Sequence, residues 1–188
     1  MAFGAWMNIL REAVARQRKH APFFAWFDRS PAGKGIAEAG AVRSLLESMR
    51  RNERFEYSHV QATGEEWPDC EAHNASGLLV AFEVTELVDS SALSRAKDAR
   101  PWFDDKLVLG LESLLSQKDQ RSCHGGRYAE VVLLIHTDEL YLDAGRASAL
   151  LTGRRFALRH RNLTRAFLLF SYSPLAGVCP YIELELAA

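Results

Sequence analysis

Residues 67–87, WPDCEAHNASGLLVAFEVTEL, decide how the fold is interpreted. A turn sequence, NASG, separates two segments of strand character, which predicts a β-hairpin with arms near 68–73 and 78–87. The second arm is apolar on both faces until Glu83, a pattern typical of a central strand covered on both sides. An ionised carboxylate in such a strand is costly unless it is paired or bound to a metal.

Asp69 and Glu83 are 14 positions apart, with the turn halfway between them. If the loop has an odd number of residues, such as Ala75-Ser76-Gly77, the two carboxylates lie opposite each other on one face, with Cβ atoms roughly 4.5–5.5 Å apart. Such a pair suits Mg²⁺, which prefers oxygen ligands. Thr85 points the same way as Glu83, because strand side chains alternate. The alternative places Glu83 at the sheet rim, in water or paired with an arginine.

The remaining pattern interleaves helices and strands without repeats, which predicts an α/β fold with a mixed central β-sheet flanked by helices. The predicted helices are 6–18, 36–50, 102–119 and 143–151, and the predicted strands are 54–62, 130–136, 166–172 and 181–186. With 188 residues we expect a single domain. In it, residues 1–34 form an N-terminal helical extension packed on a core of residues 35–188.

Composition excludes some classes of function. The net charge is −1, so no strong overall attraction to phosphate is expected. No GxxxxGK[ST] loop or GxSxG elbow occurs, which disfavours nucleotide hydrolysis and a serine triad. Three cysteines and no run of about 18 apolar residues predict a cytoplasmic protein without disulfides or a membrane partner. Cys70 and His73 with Cys123 and His124 lack standard zinc spacing.

Pro68-Asp69, followed by thirteen residues and then Glu83-Val84-Thr85, resembles the motif of the PD-(D/E)xK nuclease superfamily. The resemblance covers mainly residues 36–136 and implies a restriction-endonuclease-like core. In that superfamily an Asp and a Glu hold Mg²⁺, and a Lys two positions after the Glu helps to activate the attacking water. The resemblance therefore implies a metal-dependent endonuclease that acts on DNA phosphodiesters with Mg²⁺ or Mn²⁺.

One position departs from the motif, because Thr85 stands where the superfamily has lysine. Lys106 and Lys118 on the next helix, or Lys97 before it, could supply the missing cation. The metal alone could lower the pKa of the water enough. Otherwise catalysis is lost, and the chain is a nuclease-fold module that binds nucleic acid or a protein partner. A small-molecule-binding α/β protein is a third alternative.

A glutamate from a preceding helix often joins the superfamily site. Glu47 is the first choice here, because it lies near the helix end that leads into the next strand, and Glu38 and Glu53 compete with it. For each of them a solvated helix-surface position is the alternative.

Basic residues form two groups that could contact the phosphates of DNA. The first group comprises Arg154, Arg155, Arg159 and Arg161, and the second comprises Arg50 and Arg51. The alternative is a solvated surface. A homodimer is left open.

Overall fold

The computed structural model describes residues 31–87, 104–121, 126–138 and 142–187. The predicted helix at 6–18, most of the extension at 1–34, Lys97, Cys123 and His124 lie outside these ranges. The described elements in chain order are α1 (Pro31–Arg51), β1 (Tyr57–Ala62), β2 (Cys70–Asn74), β3 (Leu79–Glu86), α2 (Asp104–Arg121), β4 (Glu130–Thr137), α3 (Ala144–Leu151), β5 (Arg155–Ala157), β6 (Arg165–Phe170) and β7 (Tyr181–Ala187).

Seven strands form one mixed sheet in the order β1-β2-β3-β4-β6-β7-β5. Strands β1, β2 and β3 are antiparallel neighbours, which confirms the predicted hairpin. Strands β3, β4 and β6 run parallel. A parallel pair needs a long crossover, and α2 lies in the one between β3 and β4. The predicted mixed α/β class is therefore confirmed.

The side chains of β3 alternate between two hydrophobic clusters, one on each face of the sheet. Phe82 packs in the cluster that contains Leu45 of α1, and Ala81 packs in the cluster that contains Leu111 of α2. Glu83 is two positions after Ala81 and therefore belongs to the face that α2 covers. This register brings the one acidic residue in the buried part of β3 under the helix.

The basic segment at 153–165, in which the sequence predicts no strand, contains the short strand β5. Its second half is anchored by Asp119, a fully buried residue in the last turn of α2. The Asp119 carboxylate accepts backbone N–H bonds from His160 at 2.7 Å, Asn162 at 2.7 Å and Leu163 at 3.3 Å. The loop before β6 is thus tied to α2.

None of the helices in the described part of the chain combines the length and the apolar character needed to cross a bilayer.

Candidate active site

A cleft of about 960 Å³ opens between the first half of α1, the end of β3 and the end of α2. Its described carboxylates are Glu38, Glu65, Glu66, Asp69, Glu83 and Glu86, and its described cations are Lys34, Lys118 and Arg121. Six carboxylates against three cations give this lining a formal charge of −3. We call it the acidic cleft.

The hairpin register brings Asp69 and Glu83 to this cleft. The ladder pairs His73 with Leu79 and Cys70 with Phe82, and five residues separate His73 from Leu79. One further step in this register, just beyond the end of the ladder, corresponds to Asp69 and Glu83. Both residues are largely buried, with exposed fractions of 6% for Asp69 and 9% for Glu83.

Asp69 is fixed by a backbone donor and by a lysine. Its Oδ2 accepts the Val84 N–H at 2.8 Å, which ties the end of the first arm to β3. Its Oδ1 lies 3.5 Å from Lys34 Nζ of α1. The carboxylate is therefore held between the hairpin and the helix that covers it.

Glu83 has one partnered oxygen and one unpartnered oxygen. Lys118 Nζ donates to Glu83 Oε1 and forms an ion pair with it. Glu83 Oε2 is buried and has no hydrogen-bond partner. Burial raises the pKa of Glu83, Lys118 opposes this rise, and the charge of Asp69 adds to it. An unsatisfied buried acceptor is costly, so Oε2 has an unmet requirement for a donor or a cation.

Glu38 on α1 is the third carboxylate beside this pair. Burial, followed by the negative charge of Asp69, raises the pKa of Glu38 to about 7, and the protonated Glu38 carboxyl is favoured further by a hydrogen bond with Asp69. Lys34 Nζ lies 3.1 Å from Glu38 Oε1, one helical turn away, and opposes the shift. Near neutral pH the Glu38 carboxyl can thus hold or release a proton.

The structure does not bring Glu47, the first choice from the sequence, to the acidic cleft. Glu47 is exposed and lies nine positions after Glu38 on α1. At about 100° per residue, nine positions turn the side chain to the opposite side of a helix. Glu53 is exposed beyond the C-terminus of α1 and is also absent from the cleft. Of the three glutamates considered from the sequence, Glu38 is the one that lines the cleft.

Among the lysines considered as substitutes for the motif lysine, Lys118 lies in the cleft. Thr85 is half-buried and also lines it, as its position on the strand predicts. Lys106 belongs to the first turn of α2, about 18 Å along the helix axis from Lys118, and does not line the cleft.

The carboxylates fit a hard divalent cation. Within residues 31–87, 104–121, 126–138 and 142–187, no three His, Cys, Asp or Glu side chains form a group able to hold one metal ion. Two suffice for Mg²⁺, which takes one or two protein carboxylates and completes its coordination with water and substrate oxygens. Asp69 and Glu83 line the same cleft, and Glu83 Oε2 has no hydrogen-bond partner within the protein. This donor set fits Mg²⁺ or Mn²⁺.

Comparison with known proteins finds no matching family model, curated protein or solved structure.

The predicted nucleic-acid contacts do not line this cleft. Arg50 and Arg51 are exposed at the C-terminus of α1, about 24 Å along the axis from Lys34. The other four, which are Arg154, Arg155, Arg159 and Arg161, are exposed at β5 and in the loop before β6. Strand β5 is four strands from β3, or about 19 Å. Arg155 is also paired with Glu185 at 3.3 Å.

The sequence analysis missed several residues that line the cleft, among them Lys34, Trp67, Arg121 and His136. Lys34 stands four positions before Glu38, the spacing of neighbours on a helix, and Trp67 directly precedes the Pro-Asp motif. Both features are visible in the sequence and could have identified Lys34 and Trp67 as candidates. Arg121 and His136 reach the cleft only through the tertiary fold. Burial lowers the pKa of His136 to about 4, so its imidazole is neutral near pH 7.

Proposed function

We propose that this protein is a divalent-metal-dependent nuclease that hydrolyses DNA phosphodiesters in the acidic cleft. Asp69 and Glu83 would hold Mg²⁺ or Mn²⁺, and Lys118 would take the part of the lysine that the PD-(D/E)xK motif has at position 85. A bound metal would supply a Lewis acid for the phosphate and lower the pKa of a coordinated water.

The observation that carries this proposal is the position of Lys118. The sequence lacks a lysine two positions after Glu83, and the structure brings one to the Glu83 carboxylate from α2. An ammonium group beside the metal-binding carboxylates can stabilise the negative charge that accumulates on phosphate during attack. The carboxylate pair and the lysine therefore line one cleft, although the lysine comes from α2 and not from β3.

The other cleft residues would assist in defined ways. Glu38, with a pKa of about 7, would accept or release a proton near neutral pH. Lys34 offsets the charge of Glu38 and Asp69, from which its Nζ lies 3.1 and 3.5 Å. Thr85 would present a hydroxyl on the same strand face as Glu83.

A non-catalytic nuclease-fold module is the second candidate. One observation favours it: Lys34 and Lys118 already form ion pairs with Asp69, Glu38 and Glu83 without any metal. In that case the pairs stabilise buried acids, and the cleft has no need of a divalent cation.

A cleavage assay separates the two candidates. Wild type, Asp69→Ala and Glu83→Ala are incubated with supercoiled, linear and single-stranded DNA, and with RNA, in Mg²⁺, Mn²⁺ or EDTA. We expect wild type to cut in Mg²⁺ or Mn²⁺ only, and both variants to lose activity. Equal cutting by all three proteins would move the active site elsewhere, and no cutting under any condition would favour the binding module.

A further inference from the structure

One wall of the acidic cleft is aromatic. Trp67 lines the cleft together with Asp69, two positions away. Its ring meets the Tyr128 ring edge to face, with centroids 5.5 Å apart and planes at 85°. The geometry is one that aromatic pairs prefer.

Tyr128 is itself held in place, which gives Trp67 a firm support. The Tyr128 hydroxyl donates to Glu71 Oε1 at 2.6 Å, and Arg127 Nη2 lies 3.0 Å from the same oxygen. The Arg127 guanidinium also lies 5.5 Å from the Tyr128 ring centroid. Strand β2 and the segment just before β4 thus fix the orientation of the indole.

Packing alone does not account for Trp67. The residue is half-buried, and its indole Nε1–H is buried without an acceptor. Buried indole N–H groups usually have a partner, and leaving one unsatisfied is costly. A tryptophan that served only as filling for the hydrophobic cluster could be replaced by phenylalanine at no such cost.

The charges around Trp67 favour a base over a phosphate at this wall. Glu65 and Glu66 are exposed, line the cleft and directly precede Trp67. They repel phosphate, whereas their oxygens can accept hydrogen bonds from the amino groups of bases. Lys118 lies instead at Glu83, so the cleft has a cationic contact for phosphate apart from its aromatic wall.

We propose that the acidic cleft selects single-stranded nucleic acid, by stacking an unpaired base on Trp67 while the adjacent phosphate faces Asp69, Glu83 and Lys118. This inference rests on the proposed nuclease function and adds the structural class of its substrate. In a duplex both faces of an internal base are already stacked, so only an unpaired base can use the indole. Stacking on an aromatic side chain is tolerant of sequence, so little base preference is expected.

The test is a binding measurement with matched probes. Fluorescence anisotropy is recorded for a short labelled single strand and for a hairpin duplex of the same length, in Ca²⁺. The proteins are wild type, Trp67→Leu, Trp67→Phe and the control Phe55→Leu, which changes an aromatic residue that is 69% exposed and outside the cleft. Thermal melts check that each variant is folded. If Trp67→Leu does not fold, the comparison of Trp67→Phe with wild type provides the test.

We expect wild type to bind the single strand about tenfold more tightly than the duplex. Trp67→Leu should lose that preference, Trp67→Phe should keep part of it, and Phe55→Leu should keep all of it. Equal binding of both probes by wild type, or a preference that survives in folded Trp67→Leu, overturns the stacking inference and leaves the nuclease proposal standing. If wild type binds neither probe, both the stacking inference and the nuclease proposal are overturned.

Discussion

The Lys118 ammonium group contacts the Glu83 carboxylate across 35 positions of sequence and joins the end of α2 to the middle of β3. Both side chains are mostly shielded, with exposed fractions of 17% for Lys118 and 11% for Glu83. Because Glu83 faces the side of the sheet that α2 covers, a helix residue can supply the charge that the strand itself lacks at Thr85. The contact links the fold to the proposed chemistry.

Divalent cations should stabilise the protein through Asp69 and Glu83. A ligand present at a hundred times its Kd raises the free energy of unfolding by about 2.7 kcal/mol. Thermal unfolding of wild type in EDTA, Mg²⁺ and Mn²⁺ should therefore show a higher Tm with metal. Asp69→Asn should abolish the increase, and Glu112→Gln, an exposed carboxylate change on α2 outside the cleft, should keep it. An unchanged wild-type Tm over millimolar metal would argue against the cation site.

Glu38 should make the metal-free protein less stable as the pH rises. Its pKa is about 7, against an ordinary 4.5, so between these values the folded state holds a proton that the unfolded state has released. The free energy of unfolding then falls as the pH rises through this window, by an amount on the order of 2 kcal/mol. Urea titrations in EDTA from pH 5 to pH 8 measure it.

Glu38→Gln should remove most of this pH dependence, because glutamine carries no proton that folding can retain. Glu47→Gln is the matched control on the exposed side of the same helix and should keep the wild-type slope. A Glu38→Gln profile as steep as that of wild type would show that another group is responsible.

Asp119 should be a major contributor to stability. Burial alone would raise the pKa of Asp119, but backbone N–H bonds from the 160–163 loop outweigh it and lower the pKa. The stabilisation is therefore present above the ordinary pKa of an aspartate and is lost as the pH falls through the lowered folded-state value. Asp119→Ala leaves three N–H groups without their acceptor and should cost about 3–5 kcal/mol in urea unfolding at pH 7. A loss below about 1 kcal/mol would contradict this role.

Much of the fold follows from local sequence patterns. Apolar runs predict β3, β4 and β6 to within a few residues, because these strands bury most of their side chains, and alternation predicts β7. Strand β5 was not predicted, since its three residues, which begin with the exposed Arg155, carry too little pattern. Its pairing with β7 is a tertiary effect.

The candidate site was predictable only where the backbone register determines it. The loop length sets the register that brings Asp69 and Glu83 to the same cleft, and strand alternation does the same for Thr85. Glu38 lines the cleft and Glu47 does not, a difference that helix periodicity could not predict, because it shows which residues share a face without showing which end of the helix meets the hairpin. The choice between Lys106 and Lys118 likewise depends on how α2 packs over β3.

The most direct test of the central claim is the single-turnover cleavage rate of DNA in Mg²⁺ for Lys118→Met, Lys106→Met and the double variant Lys118→Met/Thr85→Lys, compared with wild type. We predict a loss of about a hundredfold for Lys118→Met, a rate near wild type for Lys106→Met, and partial recovery when the lysine is returned to the motif position on β3. A Lys118→Met protein that cuts as fast as wild type, while Asp69→Ala is inactive, would contradict the assignment of the missing motif lysine to α2.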